Sequence, residues 1–190
     1  TAATVTVSKA GYFKGIKTYI ADNNKSAFFR IKLLPKTVGG NIDAAAGGNV
    51  TLSSGMIIAL PANGVVVAAS NAAYTGPVTV SASWIDPVAL DLNQVMPGDL
   101  RGINTEGAIK RLTTFGMVAV ELTGSGGQLL QIAPGKSAIL TFPIPSSIAG
   151  TAPSSIPLWS FDESNGLWKE ESSAVKTGNS YVGSVSHFSF

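Results

Sequence analysis

"IPLWSFDESNGLWKEE", residues 156–171, decides the fold. Two apolar runs flank a cluster of Asp162, Glu163, Ser164, Asn165 and Gly166, and each run carries one tryptophan. Asn165-Gly166 is the dipeptide that supplies the two positive-φ positions of a type I′ turn, so the stretch predicts a β-hairpin. Trp159 and Trp168 stand on either side of that turn. Aromatics placed so usually pack across the strands into a core.

The same period of two runs outward in both directions. "ATVTVSKAGYF" puts Val5 and Val7 on one face and turns at Gly11. "SAFFRIKLLPK" sets Phe29, Ile31 and Leu33 against Arg30 and Lys32, and Pro35 stops the strand. "NVTLSSGMIIALP" reads as two strands around Gly55, and "GPVTVSASWI" alternates Val78, Val80, Ala82 and Trp84. "FGMVAVEL", "QLLQIAPGKSAILTFPI" and "NSYVGSVSHFSF" continue the pattern. The last of these places Val185, His187 and Ser189 on one strand face. Pro87 and Pro97 bracket residues 86–96, which predicts a turn and irregular loop rather than a helix. Turn signals recur every 8–12 residues or so, the spacing of a sandwich. The fold class is therefore all-β, an antiparallel β-sandwich. The glycine-rich stretch "KTVGGNIDAAAGG", beginning at Lys36, reads as a linker. It divides a short piece, residues 1–36, from a body, residues 37–190, of ordinary domain size.

Composition narrows the functional classes. Of 190 residues, 13% are charged and 45% hydrophobic, with 21 glycines and 10 prolines. This is neither a disordered composition nor a helical one. A net charge of +2 gives no reason to expect nucleic acid. Lys9, Lys14, Lys17, Lys25, Lys32 and Lys36 gather near the start, but at the spacing of solvated strand faces. No apolar run is long enough to span a bilayer as a helix. Thr1 is not a natural start, so the chain reads as trimmed, with any targeting signal in the missing part. The absence of cysteine excludes disulfides and thiol catalysis.

Four chemistries offer themselves. "PGKS", residues 134–137, ends like a phosphate-binding loop, yet Leu130 stands where the motif needs glycine and a strand follows instead of a helix. Asp86, Asp91 and Asp99 share one loop region and form the only calcium candidate; loop aspartates more often cap their own turns. Asp162-Glu163 and Glu170-Glu171 flank the predicted hairpin, but no cleft is implied between them. Trp84, Trp159, Trp168 and Tyr181 are the aromatics able to stack on a sugar if exposed, the basis of a carbohydrate-binding reading. No cofactor is expected, and the partner is an unidentified protein or glycan. His187, the sole histidine, stands two residues before Ser189. A triad would need an acid to orient the imidazole, an oxyanion hole and a pocket, and no Gly-x-Ser-x-Gly elbow is present.

Several stretches resemble known modules. Residues 1–36, with Gly11-Tyr12 and Leu33-Leu34-Pro35, resemble the last strands of a carboxypeptidase regulatory-like domain, which implies a partial transthyretin-like strand pair. "GGNVTLSSGMIIALPANGV", residues 47–65, is similar to the opening of the β-sandwich shared by zonula occludens proteins, netrin receptors and ankyrins. "MPGDLRGINTEGAIKRLTTFGMVAVEL" and the C-terminal segment resemble modules of bacterial surface lipoproteins and segments of cartilage intermediate layer protein. The resemblance implies a non-enzymatic extracellular or cell-surface module of a larger protein, in the bacterial case an outer-membrane lipoprotein. It also implies one alternative. The triplet His187-Phe188-Ser189 matches the one at which some related sandwich domains cut their own backbone, between Phe188 and Ser189 here. In that reaction the serine hydroxyl attacks the preceding carbonyl, histidine takes its proton, and water opens the ester.

Overall fold

The computed structural model describes residues 2–20, 22, 26 and 28–188. Its strands are β1 (Ala2–Val7), β2 (Gly15–Ile20), β3 (Val38–Asp43), β4 (Gly48–Thr51), β5 (Ile57–Leu60), β6 (Val65–Val67) and β7 (Pro77–Ile85). Then come a single helical turn, α1 (Leu92–Val95), and β8 (Arg101–Ile103), β9 (Ile109–Arg111), β10 (Met117–Gly124), β11 (Leu129–Ile132) and β12 (Ala138–Pro143). A 3-10 turn (Ser146–Thr151) leads to β13 (Ser155–Asp162), β14 (Leu167–Thr177) and β15 (Ser180–Val185).

Two sheets form the sandwich. One runs β3-β7-β10-β11-β6; the other runs β4-β5-β12-β15-β14-β8-β9, with β13 paired to β14. Pairing is antiparallel apart from β14 with β8. Val78, Val80 and Ala82 of β7 with Leu122 of β10 meet Val50, Ile58, Leu60, Leu140 and Tyr181 from the opposite sheet in one core. In β7, Val78, Val80 and Ala82, which alternate in the sequence, form the inward set, whereas Val7 of β1 stays exposed.

The stretch read as a linker is not one: residues 38–43 are β3, hydrogen-bonded along β7. Its glycines serve close sheet-to-sheet approach. A methyl group on Gly39 would sit 2.5 Å from Leu52 Cδ2, and one on Gly40 would sit 3.1 Å from Val50 Cγ2. Asp43 then caps the following turn, accepting from the Ala45 and Ala46 amides at 2.8 and 3.0 Å.

The central hairpin forms, with a different turn from the expected one. Asp162 pairs with Leu167, leaving four loop residues, and only Gly166 of the Asn-Gly dipeptide has positive φ, at 71°. The Asp162 carboxylate accepts from the Ser164 amide and hydroxyl at 2.8 and 2.6 Å and from Asn165 Nδ2 at 2.8 Å. These bonds, the Ser164 hydroxyl first, hold its pKa below the usual carboxylate value. An aspartate able to organise a longer loop overrides the two-residue turn.

The N-terminal piece is a separate hairpin, β1 with β2, docked on this loop. Ile16 packs on Phe161 and Trp168, the Gly98 amide donates to Ile16 O at 2.9 Å, and the Thr18 hydroxyl donates to Gly166 O at 2.8 Å. The segment around Phe29, Ile31 and Leu33 is extended but belongs to no ladder. Ile31 and Leu33 do turn inward together, lying over Gly15, as their alternation required. Lys25 lies outside the described residues.

Candidate functional site

Near one end the sandwich opens. A cleft of about 480 Å³ lies between the start of β10 and the edge strand β13, and its floor reaches Leu140 and Phe142 of the core. Three irregularities make this opening. First, β13 has a bulge between Leu158 and Trp159. Across it Leu158 lies above Gly183 and the Trp159 ring lies above Gly102, where no side chain of theirs intrudes. Second, Pro157 sits within β13, which an edge strand tolerates and a central strand does not. Third, residues 112–116, which connect β9 to β10, belong to no strand and carry Phe115 against Tyr181, ring centroids 5.6 Å apart.

The cleft is apolar below and polar at its rim. Phe115, Leu158 and Trp159 line it with Val185 and Phe188. Beside them lies one hydrogen-bonded cluster. Glu171 Oε1 is 2.6 Å from His187 Nε2 and accepts from the Ser160 hydroxyl at 2.8 Å. The glutamate side chain is 22% exposed and the histidine 43%. β15 ends at Val185, so His187 belongs to a bend and not to the strand expected there. His187 thus lies off the strand whose alternation was expected to carry it. Phe188 packs against the main core, while Ser189 lies outside the described residues.

A carboxylate standing between hydroxyl and imidazole is the reverse of a nucleophile's arrangement, in which the base touches the hydroxyl. Ser160 donates to Glu171. The acid partner of His187 comes from the second member of the Glu170-Glu171 pair, which the sequence left on a turn surface. The four acids of the hairpin do not face one another: Glu163 pairs with Lys14 at 2.9 Å and Glu170 accepts from the Thr105 amide at 3.3 Å.

The other candidates disperse. Asp86 accepts from the Val88 amide at 3.0 Å, Asp91 pairs with Lys32 at 2.6 Å, and Asp99 pairs with Arg101 at 2.8 Å. Among the described residues no three acidic, histidine or cysteine side chains converge on a cation position. Two of the four aromatics named for sugar stacking are buried. Tyr181 is fully buried, with its hydroxyl donating to Pro153 O at 2.8 Å. Trp168 is 5% exposed and its indole N–H donates to Asp99 O at 2.8 Å. Trp84 is half-buried beside Phe142, and Trp159, also half-buried, borders the cleft. The alternation that made these strands turned Tyr181 and Trp168 fully inward and left Trp84 and Trp159 half-buried.

Comparison with known proteins gives one consistent likeness. The chain is 31% identical over 121 residues to human cartilage intermediate layer protein 2, covering 62% of this chain and 10% of that protein. It is 33% identical over 106 residues to the mouse protein, covering 55% and 9%, and 31% identical over 102 residues to pig cartilage intermediate layer protein 1, covering 52% and 16%. The chain thus spans a small fraction of the relatives it matches. No protein-family model matches it, and no solved structure matches it. These relatives are mammalian and lend no support to a bacterial lipoprotein; nor does any family model mark residues 1–36 as a regulatory-like domain. Among the described residues no helix is long and apolar enough to cross a membrane.

Proposed function

We propose that this chain is a non-enzymatic extracellular β-sandwich module of a larger protein, serving adhesion or protein interaction, with the cleft as its contact surface. One observation carries the reading. The cleft has depth and an apolar floor, but its one histidine is held by Glu171, with the hydroxyl of Ser160 on the far side of the carboxylate. That is a binding site's lining without a nucleophile and base in contact. The likeness to cartilage intermediate layer proteins supports the extracellular setting. In this reading residues 1–36 are the end of a preceding regulatory-like sandwich, fastened by Ile16 and Thr18. The test is a turnover screen with ester, peptide and glycoside substrates. No saturable turnover is expected; turnover abolished by His187→Ala overturns the reading.

A second reading, self-cleavage between Phe188 and Ser189, has one observation in its favour. Glu171 supplies the acid that such a histidine needs for orientation. Denaturing mass analysis of the chain beside Ser189→Ala decides it. Splitting after Phe188 in the wild type alone supports cleavage, and two intact chains remove it.

A further inference from the structure

We propose that the cleft binds a small amphipathic anion, its apolar body between the two sheets and its acidic head on Lys110 and Arg111. This rests on the reading of the cleft as a contact surface and names what it takes.

The floor dictates the body. Leu140 and Phe142 are 4% and 8% exposed, and above them Phe115, Ile156 and Leu158 complete an apolar wall. A volume of about 480 Å³ is ample for a small ligand, since such sites run from about 300 to 1,000 Å³. Apolar space of this kind takes apolar guests rather than water, because water there lacks polar partners.

The rim dictates the head. Its titratable side chains are Lys110, Arg111, His187 and Glu171. The Glu171 carboxylate is held through Oε1 by Ser160 and His187. Lys110 and Arg111 are exposed on β9 and form no ion pair among the described residues. Arg101, which neighbours them across β8 and β9, is neutralised by Asp99 at 2.8 Å. Two uncompensated cations at the mouth of an apolar cleft complement a carboxylate or sulfonate.

The probes are dodecanoate, 1-naphthalenesulfonate and dodecylammonium, each below its aggregation threshold, titrated by calorimetry at low salt with tryptophan emission followed in parallel. At least one anion binds, about tenfold or more tighter than the cation, and the preference shrinks as salt rises. Which anion binds says whether the body is acyl or aromatic. Lys110→Gln with Arg111→Gln, both on the surface, lowers anion affinity about tenfold without moving the melting temperature. The emission change shrinks in Trp159→Phe, the more exposed of the two tryptophans that line the cleft, Trp168 being the other, and this places the ligand there. Failure of both anions to bind, equal binding of the cation, an unaffected double variant or an emission change undiminished in Trp159→Phe each overturns the proposal. A chain that binds no probe and turns over no substrate still satisfies the interaction-module reading, so the two fail separately.

Discussion

Lys17 is the residue whose replacement is most informative about how the N-terminal hairpin is held. It lies on β2 with 7% of its surface exposed, against the loop that carries Met96 and Asp99. Its ammonium donates to Met96 O at 2.9 Å. A charge-assisted hydrogen bond contributes about 1.5–3 kcal/mol, while burial of an ammonium costs several. The pKa shows which dominates: it is lowered, first by desolvation, with Asp99 pulling the other way. The folded state therefore holds this proton less tightly than the unfolded chain does. Between the lowered folded value and 10.5 the unfolded chain binds more protons, so stability rises with pH across that window and is flat below it. Lys17→Met keeps the length of the stem and removes the charge. It is expected to raise stability at neutral pH by about 1 kcal/mol and to abolish the rise toward pH 10. Urea unfolding at pH 7, 8, 9 and 10, wild type beside variant, measures both. A wild-type curve that is level or falling over that range refutes the argument, as does a variant less stable by more than about 1 kcal/mol at every pH.

Tyr181 acts in the opposite direction at the alkaline end. Burial raises its pKa above 10.0, so the unfolded chain loses its phenolic proton first and stability falls as pH climbs past that value; Tyr181→Phe removes the fall and, by leaving Pro153 O without its donor, costs about 1 kcal/mol at pH 7 in urea unfolding. Gly116→Ala meets two obstacles, a backbone φ of 131° and the Trp84 ring where the methyl must go, and is expected to cost about 2–4 kcal/mol, read as a drop in thermal midpoint. Trp168→Phe removes the bond to Asp99 O and part of the packing on Ile16 and Phe161; a loss of about 2 kcal/mol, with earlier proteolysis within residues 1–36, is the expected result.

The sandwich was legible because a two-residue period has one consequence. Val78, Val80 and Ala82, or Leu140 and Phe142, must share a face, and a chain of such segments buries them only by stacking sheets. Glycine was read less well, because it has two uses. At Gly55 it marks a turn, with φ at 86°. At Gly39 and Gly40 it keeps a strand close to Val50 and Leu52. The local pattern of "TVGGNID" is the same in a linker and in a close-packed strand, and the opposing sheet alone distinguishes them. The segment around Ile31 shows the converse. Its alternation holds for Ile31 and Leu33 but not for Phe29, which stays exposed, and alternation does not supply a ladder partner; the Lys32 amide donates to Gln94 O at 2.9 Å, outside any sheet.

The site was hidden for a related reason. Glu171, Ser160 and His187 are brought together by a bulge, a strand that stops at Val185 and a bend after it, each a departure from the regular period. Unbroken alternation through residues 184–190 predicts His187 and Ser189 on one face; the strand instead ends at Val185, and His187 lies beside Glu171. Regular sequence rules describe the parts of a chain that satisfy one another completely. Here β13 satisfies only one neighbour, β14, and its other edge, interrupted by Pro157 and the bulge, borders the cleft. The irregular residues are thus what keeps the apolar floor within reach of a ligand, and Lys110 and Arg111 at the rim decide its charge.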